Sequence, residues 1–185
     1  MKKITMFFAV LLSVMAANAQ EFQLNDVGAY ERKQVVEVEG VSASVLYDRA
    51  MIALSDYTGA DGQSKVGIDY QNQETHTMIY KGSYFLSFKN IMLGAGWNRY
   101  ADFTLKVRCK DGKAQLTIGI SGITAYSNTK NLRRQMSMKE VLKNVESTTN
   151  EKKLETFKAM IDGANDIMSA MEARLKGPID NDDDF

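Results

Sequence analysis

The strongest constraint in this chain is a hairpin signal between Asp102 and Ile123. In the first arm Phe103, Leu105, Val107 and Cys109 alternate with Thr104, Lys106, Arg108 and Lys110. In the second arm Leu116, Ile118 and Ile120 alternate with Gln115, Thr117, Gly119 and Ser121. Successive strand residues point to opposite faces, so each arm predicts one buried and one wet side. Lys110-Asp111-Gly112-Lys113 joins the arms, and Asp-Gly predicts a tight primed turn with positive φ. Cys109 stands on the apolar side and reads as a small buried hydrophobe.

The flanking segments supply the other elements. Val35-Val36-Glu37-Val38 predicts a strand with Val36 and Val38 inward, ending at Gly40. Ser42 or Ser44 then caps a helix over about 43–57, with Leu46, Ala50, Ala53, Leu54 and Tyr57 on its apolar stripe. Thr58 to Gly62 ends that helix. Lys65 to Tyr70 and Thr75 to Lys81 read as a second hairpin, with Val66, Ile68 and Tyr70 sharing a face and His76, Met78 and Tyr80 sharing another. Gly82 to Arg99 mixes strand signals with a loop at Leu93 to Asn98, which carries the only tryptophan, Trp97.

Ala125 to Asn131 reads as polar linker. From Leu132 the period turns helical, first through Met138, Val141, Leu142 and Val145. A second stripe, capped by Asn150, runs through Leu154, Phe157, Ile161, Ala164, Ile167 or Met168, Met171 and Leu175. Gly177-Pro178 stops it, and the acidic end through Phe185 reads as disordered.

The chain's start predicts export. Lys2 and Lys3 precede an apolar run from Ile4 to Met15, and Ala17-Asn18-Ala19 is a small-x-small cleavage signal. The expected location is periplasmic or secreted, with no integral membrane segment once residues 1–19 are removed. Losing Lys2 and Lys3 leaves 21 basic against 23 acidic residues, a net of −2. That balance gives no long-range pull toward nucleic acid. With one cysteine no internal disulfide forms.

The order strand, helix, antiparallel strands, long helix defines an α+β fold with helices on one sheet face and the other face open. At this point the chain resembles a known family. The signal peptide, the segment Val41-Ser42-Ala43-Ser44-Val45-Leu46-Tyr47-Asp48-Arg49-Ala50, the Lys65 to Tyr70 strand and the hairpin Val107-Arg108-Cys109-Lys110-Asp111-Gly112-Lys113-Ala114-Gln115 are similar to the DUF4468 group of exported bacterial proteins. The resemblance covers about residues 33 to 123. It implies a TBP-like β-α-β(4)-α domain, with a curved antiparallel sheet of about five strands, over residues 20–125. A helical extension over 126–177 packs on or beyond the sheet, and 178–185 is the tail. The family brings no catalytic residues.

Chemistry-bearing residues are sparse. His76 is the only histidine, so neither a zinc site nor a His-based triad can be assembled. Gly94-Ala95-Gly96 lacks the third glycine of a dinucleotide loop. No catalytic residue, metal or cofactor is expected, and the chain reads as a non-enzymatic module. Two features have a binding reading. The wet side of the hairpin offers Lys106, Arg108, Gln115 and Thr117 to a protein, peptide or glycan, or is plain solvated surface. Trp97 with Tyr100 offers an aromatic contact or anchors the core. The alternative is a homo-oligomeric envelope protein assembled through the Leu154 to Leu175 stripe.

Overall fold

A computed structural model describes residues 21–54, 65–92, 95–127, 129–130, 132–147 and 151–177. The predicted signal peptide, the 55–64 helix end with Tyr57, Leu93 and Gly94, the Asn150 cap and the acidic tail lie outside the described residues. The elements are β1 (Gln23–Leu24), β2 (Tyr30–Glu37), α1 (Ala43–Ala53), β3 (Lys65–Asn72), β4 (Thr77–Met92), β5 (Ala95–Lys110), β6 (Lys113–Ser127), β7 (Arg133–Ser137), α2 (Met138–Glu146) and α3 (Glu151–Lys176).

The sheet has seven strands rather than about five. Its order is β1-β2-β6-β5-β4-β3, every pairing is antiparallel, and β7 also pairs with β6. The predicted hairpin is its centre. Val107↔Leu116 and Leu105↔Ile118 pair on the buried side, and Cys109 is buried beside them. Gly112 has φ of 74°, but Asp111 does not have positive φ. The turn is therefore neither primed type, since both need positive φ at the first central residue. External bonds hold it instead. The Asp111 carboxylate accepts from Ala43 N at 2.8 Å, Gly112 N donates to Val41 O, and Val38 N donates to Gly112 O.

One face carries both long helices. Helix α1 starts where Ser42 Oγ accepts from Val45 N, and it buries Leu46, Tyr47 and Ala50. The Tyr80 hydroxyl donates to the carbonyls of Ala50 and Met51, so burying that phenol leaves no polar atom unpaired. Helix α3 covers the adjoining part of the same face with Met160, Ala164, Ile167, Met168, Met171 and Leu175, all fully buried. Met160 replaces the expected Ile161, which is only partly buried. Gly163 allows the close approach, because a Cβ there would stand 2.5 Å from the Tyr84 ring. The Tyr84 hydroxyl donates to Met160 O, Arg32 to Asn165 and Gln34 to Glu172. Arg49 Nη1 donates to Leu175 O at 2.8 Å, tying α1 to the C-terminal end of α3. A cation there also suits the helix dipole.

Several sequence expectations are corrected. The Gly82 to Arg99 stretch is strand on both sides of residues 93–94, and Trp97 lies in β5 rather than in a loop. β6 continues to Ser127 and β7 follows, so Ala125 to Asn131 is not all linker. The helix after Leu132 begins only at Met138. There Ser137 Oγ accepts from Glu140 N while the Glu140 carboxylate accepts from Ser137 N at 2.8 Å, a capping box. In β3 a bulge between Ile68 and Tyr70 turns Tyr70 off the expected apolar face, and Ile68 is 42% and Tyr70 46% exposed. His76 sits in the β3–β4 turn with φ of 44°, not in a strand.

Candidate functional site

The strand register fixes which residues share the uncovered face. Lys106 pairs with Thr117, and Arg108 pairs with Gln115. The first pair extends to Lys33 on β2 and Ile79 on β4, and the second to Val35 and Thr77. Paired residues point to the same side, so these eight form two parallel rows across four strands. The sequence placed Lys106, Arg108, Gln115 and Thr117 together, and the structure does the same. It adds Lys33, which could be found only once β2 was known to lie beside β6, while Lys110 and Lys113 follow from the hairpin's own alternation.

Charge on this face is uneven. Lys33 pairs with Glu31 at 3.1 Å and Lys81 with Asp69 at 2.9 Å. Lys106, Arg108, Lys110 and Lys113 make no ion pair among the described residues. Lys110 and Lys113 stand directly opposite each other at the turn. Like charges so placed repel and disfavour the bare hairpin. Glu37 is the β2 neighbour of Lys113 without forming a salt bridge to it.

Farther along the hairpin a bulge changes the faces. Phe103 pairs with Ile120 but Asp102 with Gly122, which leaves Ser121 as the extra residue. Beyond it Thr124 turns away from the helices. Thr124 Oγ1 donates to the Asp102 carboxylate at 2.5 Å and accepts from Gln135 Nε2. Burial raises the Asp102 pKa above the usual carboxylate value, against the opposing pull of the Thr124 hydrogen bond and the Arg133 charge. Tyr100 contacts both Phe85 and Tyr126 edge-on, and Arg133 lies over the Tyr126 ring.

Trp97 does not join the cationic rows. It lies nine residues up β5 from Lys106, roughly 30 Å at about 3.3 Å per residue. It lines a cleft of about 430 Å³ on the helix-bearing side, between β5–β7, α2 and the first turns of α3. Ile123, Ala125, Met136, Val141, Val145 and Phe157 make its apolar wall, while Arg99, Arg134 and Lys153 bring cations. The Arg134 guanidinium stands 5.1 Å from the Trp97 ring centroid. This cleft was missed from sequence because its walls come from elements up to 60 residues apart, from Trp97 to Phe157.

Cys109 and His76 pack into the fold near the same end of the sheet. Cys109 is buried, and burial pushes its thiol up to about 11, far from a reactive thiolate. Its N–H donates to His76 O at 2.9 Å, and the His76 ring packs edge-on against Tyr47. Among the described residues no group of three or more His, Cys, Asp or Glu could hold a metal ion, and no helix is long and apolar enough to cross a membrane.

An open antiparallel sheet of seven strands with helices packed on one face is a TBP-like architecture. Residues 33–120 match the family model "Domain of unknown function (DUF4468) with TBP-like fold", so the likeness to the DUF4468 family is shown over that stretch. The crystal structure of a DUF4468 family protein from Bacteroides ovatus is similar with a TM-score of 0.58 at 13% identity, covering 85% of this chain and 91% of that one. A TBP-like protein from Parabacteroides distasonis is similar with a TM-score of 0.61 at 12% identity, covering 85% and 98%. At these identities the fold is what is shared. Coverage of 85% reaches well beyond the family-matched stretch. No curated protein matches the chain.

Proposed function

We propose that this chain is a non-enzymatic binding module of an exported bacterial protein, and that the uncovered sheet face takes a carboxylate-bearing peptide segment of a partner. The observation that carries the reading is the pairing of Lys106 with Thr117 and Arg108 with Gln115 on a face that α1 and α3 leave bare. Arg108 offers a planar donor fork suited to a carboxylate, Gln115 an amide, and Lys106, Lys110 and Lys113 unpaired positive charge. Export is supported by the Lys2–Lys3 start, the apolar run and the Ala17-Asn18-Ala19 signal. Assembly through α3 is less favoured, because its apolar stripe packs against its own sheet and Leu154 is the one large apolar residue of that stripe counted as exposed.

The test is titration with a polyglutamate peptide at low and high salt. Native protein is expected to bind with an affinity that falls as salt rises. Lys106→Glu with Arg108→Glu is expected to weaken binding about a hundredfold, as two charge-assisted contacts worth about 1.5 kcal/mol each are lost. Circular dichroism should stay native, since both side chains are on the solvent side. Equal binding by the double variant overturns the assignment of this face.

A further inference from the structure

We infer that the cleft around Trp97 is a second, separate binding site, for a small organic carboxylate with an apolar body. Its volume of about 430 Å³ falls within the range of small-molecule sites. Its wall is apolar where Ile123, Ala125 and Met136 meet Val141, Val145 and Phe157. Burying a hydrocarbon or aromatic body there is favourable in proportion to the area removed from water.

The charges at the cleft have one sign. Arg99 comes from β5, Arg134 from β7 and Lys153 from α3, so three elements converge on the same space with cations. Among the described residues that line it there is no carboxylate. Among the described residues none of these three side chains forms an ion pair. Three like charges around one apolar hollow repel each other unless an anion lies between them. An apolar body with one anionic end satisfies both the wall and the cations. A neutral hydrocarbon would leave the cations uncompensated, and a bare inorganic anion would leave the apolar wall wet.

Arg134 has a defined geometry for the headgroup. Its guanidinium is held over the Trp97 ring at 5.1 Å. That contact fixes the plane of the fork and leaves its edge donors for a carboxylate. The same contact makes the ligand visible, because Trp97 is the only tryptophan in the chain and its fluorescence reports on the cleft alone.

The experiment titrates the whole chain with decanoate and, in parallel, with decanol, following Trp97 emission. Decanoate is expected to give a saturable change at a concentration about tenfold or more below decanol, the value of one charge-assisted contact. Arg134→Gln with Lys153→Gln is expected to remove that preference while decanol still binds. Lys153 is exposed, so Lys153→Glu alone keeps the fold and should weaken decanoate several-fold. Pelleting with phosphatidylglycerol vesicles tells a free acid from a membrane lipid. Retention on vesicles that is lost in Arg134→Gln assigns the carboxylate's place to a lipid headgroup and overturns the free-acid reading. Absence of a saturable decanoate response, or equal response to decanoate and decanol, overturns the site. Lys106→Glu with Arg108→Glu should leave the decanoate titration unchanged, so this result and that for the sheet face fail or stand separately.

Discussion

The two halves of the β5–β6 hairpin are built to different rules. Near the Asp111-Gly112 turn, alternation is strict, β2 flanks β6, and α1 and α3 seal one side. Past the Asp102/Phe103 bulge, β7 replaces β2, α2 replaces α1, and the residues facing the helices change from Ile120 to Ile123 and Ala125. The near half leaves an uncovered cationic face, whereas the far half leaves a hollow. One extra residue, Ser121, separates a packed core from a concave site.

The largest expected break in this contrast is Leu116→Ala in the near half. Leu116 is fully buried at the sheet centre, so the cavity should cost about 4 kcal/mol and lower the melting temperature of the whole chain. In the far half, Gly122→Val should cost about 3 kcal/mol by overpacking. A Cβ at Gly122 would stand 2.1 Å from Met136 O, which is backbone and can move only if β7 moves. Hydrogen exchange should therefore show lost protection in β7 with near-half amides still protected. Uniform loss across both halves would show that they are one cooperative unit.

A smaller effect sharpens the contrast by pH. The Asp102 pKa is raised, so the folded chain holds this proton more tightly than the unfolded chain. Its contribution to stability thus grows as pH falls from neutral through the raised folded value toward the ordinary carboxylate value, and levels off below that. Asp102→Asn should flatten this part of the stability profile when unfolding is followed by denaturant titration at several pH values. A profile of the same slope in the variant would assign the dependence elsewhere.

The near half was legible because its signal is local. Phe103, Leu105, Val107, Leu116, Ile118 and Ile120 announce a buried side by period alone, and their outward neighbours follow by parity. That was enough to place Lys106, Arg108, Gln115 and Thr117 on one surface. β7 was illegible because Arg133 to Ser137 is exposed throughout and carries no alternation. It is a strand because β6 outruns β2 and its remaining backbone groups need partners. Trp97 was misread as loop because the neighbouring glycines weigh against a strand in any local reading. The cleft needed five elements in their final places, which no window of sequence contains.

The bond from Ala43 N to Asp111 has a consequence for how the chain finds its register. It joins residues 68 positions apart, the first turn of a helix and the tip of a hairpin. A strand slip of one residue would turn every apolar side chain to the wrong face. The same slip would carry Asp111 and Gly112 away from Ala43, Val41 and Val38, leaving the Ala43 N–H at the helix start without its carboxylate and three hydrogen bonds unmade. The helix start thus acts as a gauge that reads the hairpin's alignment from outside the sheet. Satisfying the Ala43 N–H and pairing the strands correctly become one event, and an out-of-step sheet is penalised twice, in its core and at its tip.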